Sequence, residues 1–451
     1  MGINDYDFLY NIESNERFET PVMVVGYSST GFETMSHNMH DYANKYIIKN
    51  NSARPVLYNS WEAMEFKVNA AEQIELAKYA KSIGTELFVV DDGWFGERHS
   101  TKDGLGDWYI NEGKFPKGLE ELIKEVKDMG MMFGIWFEPE MVNPLTKLYK
   151  EHPEWIYNFD NRDRTLSRDQ LVLNLTIPEV EEYIFNILND YLEKYDIDYI
   201  KWDANRPISE PGAKNLGDQE RSLWLNHIKA VYRIVDRLRE NHSNVLFEAC
   251  ASGGGRIDLG MLEHFDDFWT SDNTDAYDRL FIQNTYSKIY PIKAMRAWVT
   301  DCPNFLSKRD IPLEFRFDSS MMGTLGVGCN LLKLSQQELE ICTTKIKEYK
   351  EIRHIVENGK FYRLDHSLDN DYHTFSFVDN DESLLFVYLP QSKIGHRPTV
   401  IKLRGLVENE MYEFEFGGEK LTKSGNYLMN LGLKIRLEGD YSSLIIKFKK
   451  A

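Results

Sequence analysis

The sequence predicts an α/β protein in which a (β/α)8 TIM barrel is followed by a C-terminal antiparallel β-sandwich. From about residue 54, short apolar runs alternate with segments of helical periodicity about eight times, which is the repeat expected of such a barrel. Beyond about residue 355 this rhythm stops, and alternating strand-like segments follow. A chain of 451 residues is also too long for one compact core. We therefore expect a catalytic barrel over residues 54–354 and a β-sandwich over residues 355–451.

The barrel strands are predicted at eight short apolar runs that are separated by helical segments. Helix signals support the first repeat, in which Asn69 is a predicted N-cap, Glu72 its capping-box partner and Gly84 the stop. The run 171–175 is a ninth strand candidate, which we assign to an excursion in the loop after the third strand. The eight runs begin, in chain order, at Pro55, Leu87, Met132, Asp198, Val245, Phe268, Ala294 and Thr324.

The two ends of the chain differ from the barrel in pattern. Residues 1–53 contain an apolar run at 22–26 and a predicted helix from Met35 to about Ile47, and they are interpreted as the tail of another β-domain with its connecting helix. At the other end, runs such as 443–448 alternate in the manner of antiparallel strands.

Composition excludes several classes of function. The formal charge of −19 disfavours nucleic acid and anionic membrane as partners, since both require concentrated Lys and Arg. No apolar stretch is long enough to predict a transmembrane helix, and the N-terminus lacks the pattern of a secretory signal. The four cysteines are too scattered for a disulfide framework or a zinc motif. We therefore expect a cytoplasmic protein.

Two carboxylates follow strand-like runs in a pattern that suits glycoside hydrolysis. Asp203 ends the run that begins at Tyr199, and Asp272 follows the run that begins at Phe268. With 72 acidic residues, pairs of aspartates are common by chance, but TIM barrels place their chemistry at the C-terminal ends of strands. Retaining hydrolysis requires one carboxylate to attack the anomeric carbon and another to shuttle the proton. We therefore predict Asp203 and Asp272 as the catalytic pair.

Neighbouring charges suggest how the two roles divide. Lys201 lies two residues before Asp203 on the same face of its strand, and an adjacent cation favours the ionised carboxylate that a nucleophile requires. Asp275 and Asp278 follow Asp272 closely, and like charge raises the pKa of a carboxyl group toward that of a general acid.

Further polar and aromatic residues follow other strands. Asp91 and Asp92 are consistent with a metal site, a clamp for sugar hydroxyl groups or a solvated turn; the clamp is favoured because no calcium-loop pattern is present. The run 250–256 lacks the spacing of a phosphate-binding loop, so close approach of its backbone to a sugar is the better interpretation. Tryptophans near the strand ends, Trp94 among them, either form a sugar platform or close the barrel core.

With these motifs in hand, the chain resembles the retaining α-galactosidases of glycoside hydrolase family 36. The resemblance runs from about residue 20 to the C-terminus, and five ordered motifs make it specific. The matching runs are 90–96, 134–142, 199–206, 250–256 and 270–275.

The resemblance implies roles for individual residues. Asp203 is expected to be the nucleophile and Asp272 the acid/base. The resemblance also implies raffinose, melibiose and stachyose as substrates, and a double displacement on protein carboxylates requires no metal or organic cofactor. The residues expected to bind galactose are Trp61, Asp91, Asp92, Trp136, Arg168, Lys201, Cys250, Gly253 and Gly254.

The chain departs from the family pattern at its front. Family members of this kind carry a large N-terminal β-sandwich that helps wall the active site and assemble the oligomer. Here we expect only its last strand and connecting helix, within residues 1–53. A homo-oligomer remains an expectation.

Three alternative functions stay open at this point. Galactosyl transfer to a sugar acceptor and cleavage of α-N-acetylgalactosaminides use the same intermediate, and differ in acceptor or C2-substituent contacts. The third alternative is a catalytically silent sugar-binding protein, against which the presence of both Asp203 and Asp272 argues.

Overall fold

The computed structural model describes residues 2–364, 371–395 and 397–451. The chain divides into two compact units. The first comprises residues 1–26, 59–78 and 87–269, and the second comprises residues 27–58, 79–86 and 270–451. Among the described residues, no helix is both long and apolar enough to span a membrane.

Helices and strands alternate through most of the chain. The helices are α1 (Phe32–Tyr46), α2 (Trp61–Met64), α3 (Ala70–Ile83), α4 (Glu120–Asp128), α5 (Lys147–Glu151), α6 (Pro178–Lys194), α7 (Leu223–Asn241), α8 (Leu259–His264), α9 (Ala276–Tyr286), α10 (Leu313–Ser320), α11 (Gln336–Asn358) and α12 (Gly425–Asn430). Short 3-10 helices cover Lys214–Ser222, Ile292–Ala294 and Leu331–Lys333.

The strands of the first two-thirds of the chain are β1 (Leu57–Asn59), β2 (Leu87–Val90), β3 (Met132–Phe137), β4 (Met141–Val142), β5 (Leu171–Val172), β6 (Tyr199–Trp202), β7 (Leu246–Ala249), β8 (Asp267–Trp269), β9 (Met295–Val299) and β10 (Thr324–Val327). The later strands are β11 (Lys360–Arg363), β12 (His373–Asp379), β13 (Glu382–Leu389), β14 (Thr399–Ile401), β15 (Met411–Phe416), β16 (Glu419–Ser424), β17 (Leu433–Ile435) and β18 (Ser442–Lys450).

Eight of these strands form a closed barrel in the order β1-β10-β9-β8-β7-β6-β3-β2. Neighbouring strands within it, such as β2 with β3 and β3 with β6, pair in parallel. The predicted TIM barrel is therefore confirmed. Its strands are short and almost wholly buried, as expected for strands that are covered on both faces.

Local signals in the sequence explain individual elements. Glu72 N donates to Asn69 Oδ1 at 3.0 Å, so Asn69 caps α3 as predicted. The helix stops before Gly84, which has a φ of 98° that favours glycine. Within β3, a Cβ at Gly134 would lie 2.9 Å from side-chain atoms of Tyr199 and Val89, so only glycine lets the strands on either side approach this closely.

The ninth strand candidate lies outside the barrel, as expected. Leu171–Val172 forms β5, which pairs antiparallel with β4 in the segment after β3. This two-stranded ribbon belongs to the first unit, and it holds the segment that carries Arg168.

The C-terminal part of the second unit contains antiparallel sheets. A six-stranded sheet has the order β11-β12-β13-β18-β15-β16, and a two-stranded sheet joins β14 to β17. Side chains from both sheets share one hydrophobic core, including Val387 and Phe448 from the larger sheet and Ile401 and Ile435 from the smaller. The alternation of buried and exposed residues along β15 shows that one face of the strand packs on this core.

The N-terminal segment differs from the prediction. The helix α1 is present, but the run 22–26 forms no strand. Val22 and Val25 are 86% and 73% exposed, so their apolar character reflects no packing within the described residues. Residues that favour strands form no sheet unless a partner strand supplies backbone hydrogen bonds.

Candidate active site

The acidic pair that follows β2 is buried, and each carboxylate is paired with a cation. Asp91 Oδ2 accepts hydrogen bonds from Lys201 Nζ at 2.7 Å and from Asn59 Nδ2 at 2.6 Å. Arg98 donates through Nε to Asp92 Oδ1 at 2.9 Å and through Nη2 to Asp92 Oδ2 at 2.7 Å. A solvated turn is incompatible with this burial. Charge-assisted bonds of this kind fix the direction of the carboxylates, as a clamp for hydroxyl groups requires.

Lys201 connects the acidic pair to the neighbouring strand ends. Its ammonium group also lies 4.1 Å from the centre of the Trp269 ring, within the range of a cation–π contact. Burial disfavours the charged form, but the carboxylate of Asp91 foremost, and then Cys250 and Asp203 among others, raise the pKa of Lys201 above its ordinary value. From the sequence, Lys201 is expected to act as the cation next to Asp203. The direct ion pair is instead with Asp91, and Asp203 contributes only a longer-range attraction.

Asp203 lies immediately beyond β6, and both of its carboxylate oxygens accept hydrogen bonds. Trp136 Nε1 donates to Oδ2 at 3.1 Å, and Asn205 Nδ2 donates to the same oxygen at 2.7 Å. The backbone N–H of Ala204 donates to Oδ1 at 2.9 Å. These donors hold the carboxylate in one orientation.

Glu138 lies behind this carboxylate, at the end of β3. Its Oε1 accepts from the backbone N–H of Asn205 at 2.5 Å, and its Oε2 accepts from Gln170 Nε2 at 3.0 Å. The side chain is fully buried. Burial first, and then the negative charges of Asp203 and Asp92, raise the pKa of Glu138 to about 8.

Glu140, two residues further on, has the opposite electrostatic environment. Arg256 contacts its two oxygens at 2.6 and 2.8 Å, and His227 Nε2 lies 2.7 Å from Oε2. Burial opposes ionisation, but Arg256 and His227 outweigh it and lower the pKa of Glu140 below its usual range. The pair fixes Arg256 at the end of the run 250–256.

The run 250–256 turns sharply beside Asp203. Ser252 has a φ of 46° and Gly253 a φ of 84°, and Ala251 N donates to the Gly253 carbonyl at 2.8 Å. Ser252 Oγ donates to Asn205 Oδ1 at 3.2 Å. Cys250 and Gly253 are buried, whereas Gly254 is partly exposed. The turn therefore brings its backbone close to the residues that surround Asp203.

Arg168 lies in a tight turn between Ser167 and Gln170. Arg168 and Asp169 have φ values of 54° and 60°, and Gln170 N donates to the Ser167 carbonyl at 3.0 Å, which is the pattern of a type I′ turn. Neither residue is glycine, so each costs about 1–3 kcal/mol in this region of the backbone map. Thr101 Oγ1 holds Asp169 Oδ2 at 2.8 Å. The Arg168 side chain is exposed and makes no hydrogen bond to a described residue.

The tryptophans near the strand ends differ in whether they suit a sugar platform or belong to the barrel core. Trp61, in α2 directly after β1, is partly exposed and lies edge-on to Phe66 at 5.3 Å. Trp136 contacts Asp203 through its indole N–H. Trp94 is fully buried, packs against Phe137 at 5.3 Å and donates to a backbone carbonyl, so it is a core residue and the platform interpretation is wrong for it.

Asp272 lies in the second unit, three residues beyond β8, and it is exposed. The two acidic residues that follow it closely, Asp275 and Asp278, are both paired with a cation. Arg309 Nη1 lies 2.7 Å from Asp275 Oδ1 and 2.8 Å from Asp278 Oδ1. Asp275 also caps α9, where its side chain accepts from the Tyr277 and Asp278 N–H groups. Asp275 and Asp278 therefore present to Asp272 charges that Arg309 already pairs.

No group of three or more His, Cys, Asp or Glu side chains with metal-binding geometry occurs in the part of the chain that the structure describes. Several contacts of the site were missed from the sequence. Arg98, Asn205 and Trp269 all touch predicted site residues. Asn205 was visible as part of a motif, but only its distance from Asp203 and Glu138 reveals its role.

Comparison with known proteins agrees with this geometry. The sequence matches the melibiase family over residues 17–359. It also matches the C-terminal domain of glycosyl hydrolase family 36 over residues 373–448. The chain belongs to glycoside hydrolase family 36. The predicted site residues can therefore be compared with the corresponding residues of other family members.

Individual relatives align with almost the whole length of the chain. The α-galactosidase AgaA of Geobacillus stearothermophilus is 37% identical over 94% of the chain. α-Galactosidase C of Emericella nidulans is 38% identical over 99% of it. The chain spans about 60% of the length of each of these relatives.

A crystal structure of AgaA superposes on the chain with a TM-score of 0.96 at 36% identity, covering 100% of this chain and 63% of AgaA. A variant of AgaA has been solved in complex with raffinose, with a TM-score of 0.95, 34% identity and the same two shares covered.

Proposed function

We propose that the chain is a retaining, exo-acting α-galactosidase that releases terminal α-D-galactosyl residues from raffinose-type oligosaccharides and melibiose, with a role in carbohydrate metabolism. One observation carries the proposal. At the end of β6, Asp203 is held by the Trp136 indole and the Asn205 amide. This arrangement occurs in a member of a glycoside hydrolase family whose relatives are named α-galactosidases. The raffinose complex of an AgaA variant supports the substrate class.

In the proposed reaction, Asp203 attacks the anomeric carbon while Asp272 donates a proton to the departing glycosidic oxygen. The bond to the aglycone breaks as the bond to Asp203 Oδ forms, giving a covalent galactosyl ester. Asp272, now ionised, removes a proton from water, which attacks the same carbon and frees Asp203. A retaining double displacement requires its two carboxyl groups about 5–5.5 Å apart.

The remaining residues are proposed to bind the galactosyl hydroxyl groups. Asp91 and Asp92 present carboxylates that are oriented by Lys201 and Arg98. Arg168 contributes an exposed guanidinium group on a held turn. The other proposed contacts are Trp61, Trp136, Lys201, Cys250, Gly253 and Gly254.

The experiment is hydrolysis of p-nitrophenyl α-galactoside, followed by NMR of the first product anomer. Release of α-galactose is expected. Turnover of the α-N-acetylgalactosaminide alone, or transfer products in place of free galactose, would favour the alternatives on the same scaffold. Galactose binding without turnover of any α-galactoside would favour the silent sugar-binding protein.

Mutation of each aspartate tests the division of roles. Asp203→Asn should abolish turnover of every substrate, since both half-reactions use this residue. Asp272→Gly should still react with activated aryl galactosides, because a good leaving group requires little protonation, and azide should then accelerate it as a substitute nucleophile. Equal losses on all substrates, with no azide effect, would contradict the assignment.

Location and assembly belong to the same proposal. The four cysteines are too few and too scattered in the sequence for a disulfide framework, which suits a reducing cytoplasmic compartment. The exposed apolar side chains at Val22 and Val25 support self-association into a homo-oligomer through that segment. Light scattering tests the second point, and a strictly monomeric protein would refute it. The net charge of −19 supports neither nucleic acid nor anionic membrane as a partner.

A further inference from the structure

Glu138 is a buried carboxyl group to which the proposed reaction gives no role. It lies at the end of β3, outside hydrogen-bond contact with Asp203, and it reaches the nucleophile through one residue. Its Oε1 accepts from the backbone N–H of Asn205, and the side-chain amide of Asn205 donates to Asp203 Oδ2. The position of the Asn205 backbone therefore decides whether its amide can reach Asp203.

The surroundings of Glu138 oppose a negative charge on it. The groups that face it are Asp203 from β6, Asp92 from the end of β2 and Arg98 from the following loop. Arg98 is engaged bidentately by Asp92, so its charge is already largely offset. With Asp203 ionised, a second carboxylate in this closed space would suffer both burial and repulsion. The raised pKa of Glu138, about 8, agrees with this geometry.

The second partner of Glu138 suits either protonation state. Gln170 Nε2 lies 3.0 Å from Glu138 Oε2, and the buried Gln170 Oε1 has no hydrogen-bond partner among the described residues. Amide nitrogen and oxygen are assigned from the hydrogen-bond network. With the amide turned over, Oε1 would accept the proton of a neutral Glu138 at the same distance, whereas Nε2 donates to the ionised form.

We propose that Glu138 is a positioning residue for the nucleophile, which acts as a neutral carboxylic acid and holds the Asn205 backbone so that the Asn205 amide can orient Asp203. The inference rests on the proposed function of Asp203. When Asp203 becomes an ester, it loses the negative charge that helps to keep the proton on Glu138. Glu138 then binds its proton less tightly in the galactosyl-enzyme than in the free enzyme.

The first test is an infrared difference measurement on the intact protein. A buried carboxylic acid has a carbonyl stretch distinct from that of a carboxylate. We expect this band between about pH 6 and pH 8, where carboxyl groups of ordinary pKa are ionised, and its loss well above pH 8; the difference between the wild type and Glu138→Gln should contain it. Glu140→Gln is the matched control, because Glu140 is equally buried in the same segment but ionised. A difference between the wild type and Glu138→Gln that lacks an acid band in this pH range would overturn the proposal.

The second test separates positioning from bulk stability. Glu138→Ala should lower kcat about 10- to 100-fold with little change in KM, since a misplaced nucleophile slows chemistry more than binding. Glu138→Gln keeps an acceptor for the Asn205 N–H, so it should restore kcat below pH 8 and remove the change in kcat that the wild type shows as the pH passes 8. Equal loss in both variants, with the pH profile unchanged, would contradict a positioning role.

Failure of the proposed function would look different. In that case the wild type would cleave no galactoside, yet the infrared band would still report the proton on Glu138. Hydrogen exchange at the Asn205 amide would then decide positioning. Glu138→Ala should accelerate this exchange and Glu138→Gln should not; identical rates in both variants would overturn the inference.

Discussion

Lys201 forms its ion pair with Asp91, at 2.7 Å, and not with the neighbouring Asp203, the proposed nucleophile. Both side chains of the pair are about 5% exposed, so the two charges compensate each other in a low-dielectric site. The pair joins the end of β2 to β6 across the intervening strand β3. It therefore fixes the spacing between the proposed hydroxyl clamp and the proposed nucleophile.

Removing one partner of this pair should be costly. Lys201→Met leaves the Asp91 carboxylate buried without its cation, and we expect a loss of about 3–5 kcal/mol in the free energy of unfolding, together with loss of galactoside turnover. Adding Asp91→Asn to Lys201→Met removes the orphaned charge, so the double variant should recover part of the stability but none of the activity. Denaturant unfolding measures the stability of the two variants, and hydrolysis of p-nitrophenyl α-galactoside measures their activity. A double variant less stable than Lys201→Met would contradict the pairing.

Arg168 should behave in the opposite way. Its side chain is exposed and makes no hydrogen bond to a described residue, so Arg168→Ala should change the free energy of unfolding by no more than about 0.5 kcal/mol. If the guanidinium binds galactose, KM should rise and the inhibition constant of galactose should rise with it. Asp169→Ala is the comparison, because it removes the contact with Thr101 that holds the turn. Unchanged KM in Arg168→Ala would refute the binding role.

Arg309 is expected to stabilise the segment that follows β8. It neutralises Asp275, whose side chain is fully buried, and Asp278. Because Arg309 itself is about one-third exposed, we expect Arg309→Met to cost about 1–3 kcal/mol, below the usual cost of breaking a fully buried pair. The control is Arg237→Met, since the Arg237–Glu182 pair is exposed and should contribute less than about 1 kcal/mol. Equal effects of the two variants on thermal unfolding would argue against this role.

The lowered pKa of Glu140 predicts how the free energy of unfolding changes with pH in acid. Its pKa in the folded protein is lowered, so the unfolded chain binds its proton more readily than the folded one. The stability that Glu140 contributes is therefore present above its ordinary pKa of 4.5 and is lost as the pH falls below that value. Glu140→Gln should be less stable than the wild type at neutral pH, and the difference should shrink in acid. Thermal unfolding across pH measures it, and a difference that grows in acid would contradict the assignment.

The sequence was informative where chemistry follows strand ends. Asp91, Asp92, Lys201 and Asp203 were predicted because an α/β barrel carries function there, and all four are buried, with Lys201 bonded to Asp91 and the charge of Asp203 acting on Lys201 and Asp92. The partner of Lys201 could not be predicted, because it depends on how β6 stands against β2. Arg98 was missed for a similar reason, since a loop of unknown path carries it.

Other predictions were wrong because charge and hydrophobicity were judged from the sequence alone, without the residues that become neighbours only in the fold. The cation that neutralises Asp275 is Arg309, more than 30 positions away, so sequence proximity gave only the repulsive half of the electrostatics. Trp94 follows a strand as a platform residue would, yet its ring packs inward. The run 22–26 has strand-like composition, but a strand also requires a partner, which composition does not reveal.

The central claim is that Asp203 is the nucleophile of a double displacement. A 2-deoxy-2-fluoro-α-galactosyl fluoride should inactivate the enzyme with time, since the fluorine at C2 slows both formation and hydrolysis of the ester, while the good leaving group speeds only its formation. Peptide mass spectrometry should then find one fluorogalactosyl group on the peptide that contains Asp203, and galactose should protect against labelling. A label on another carboxylate, or no label in an enzyme that turns over galactosides, would contradict the account.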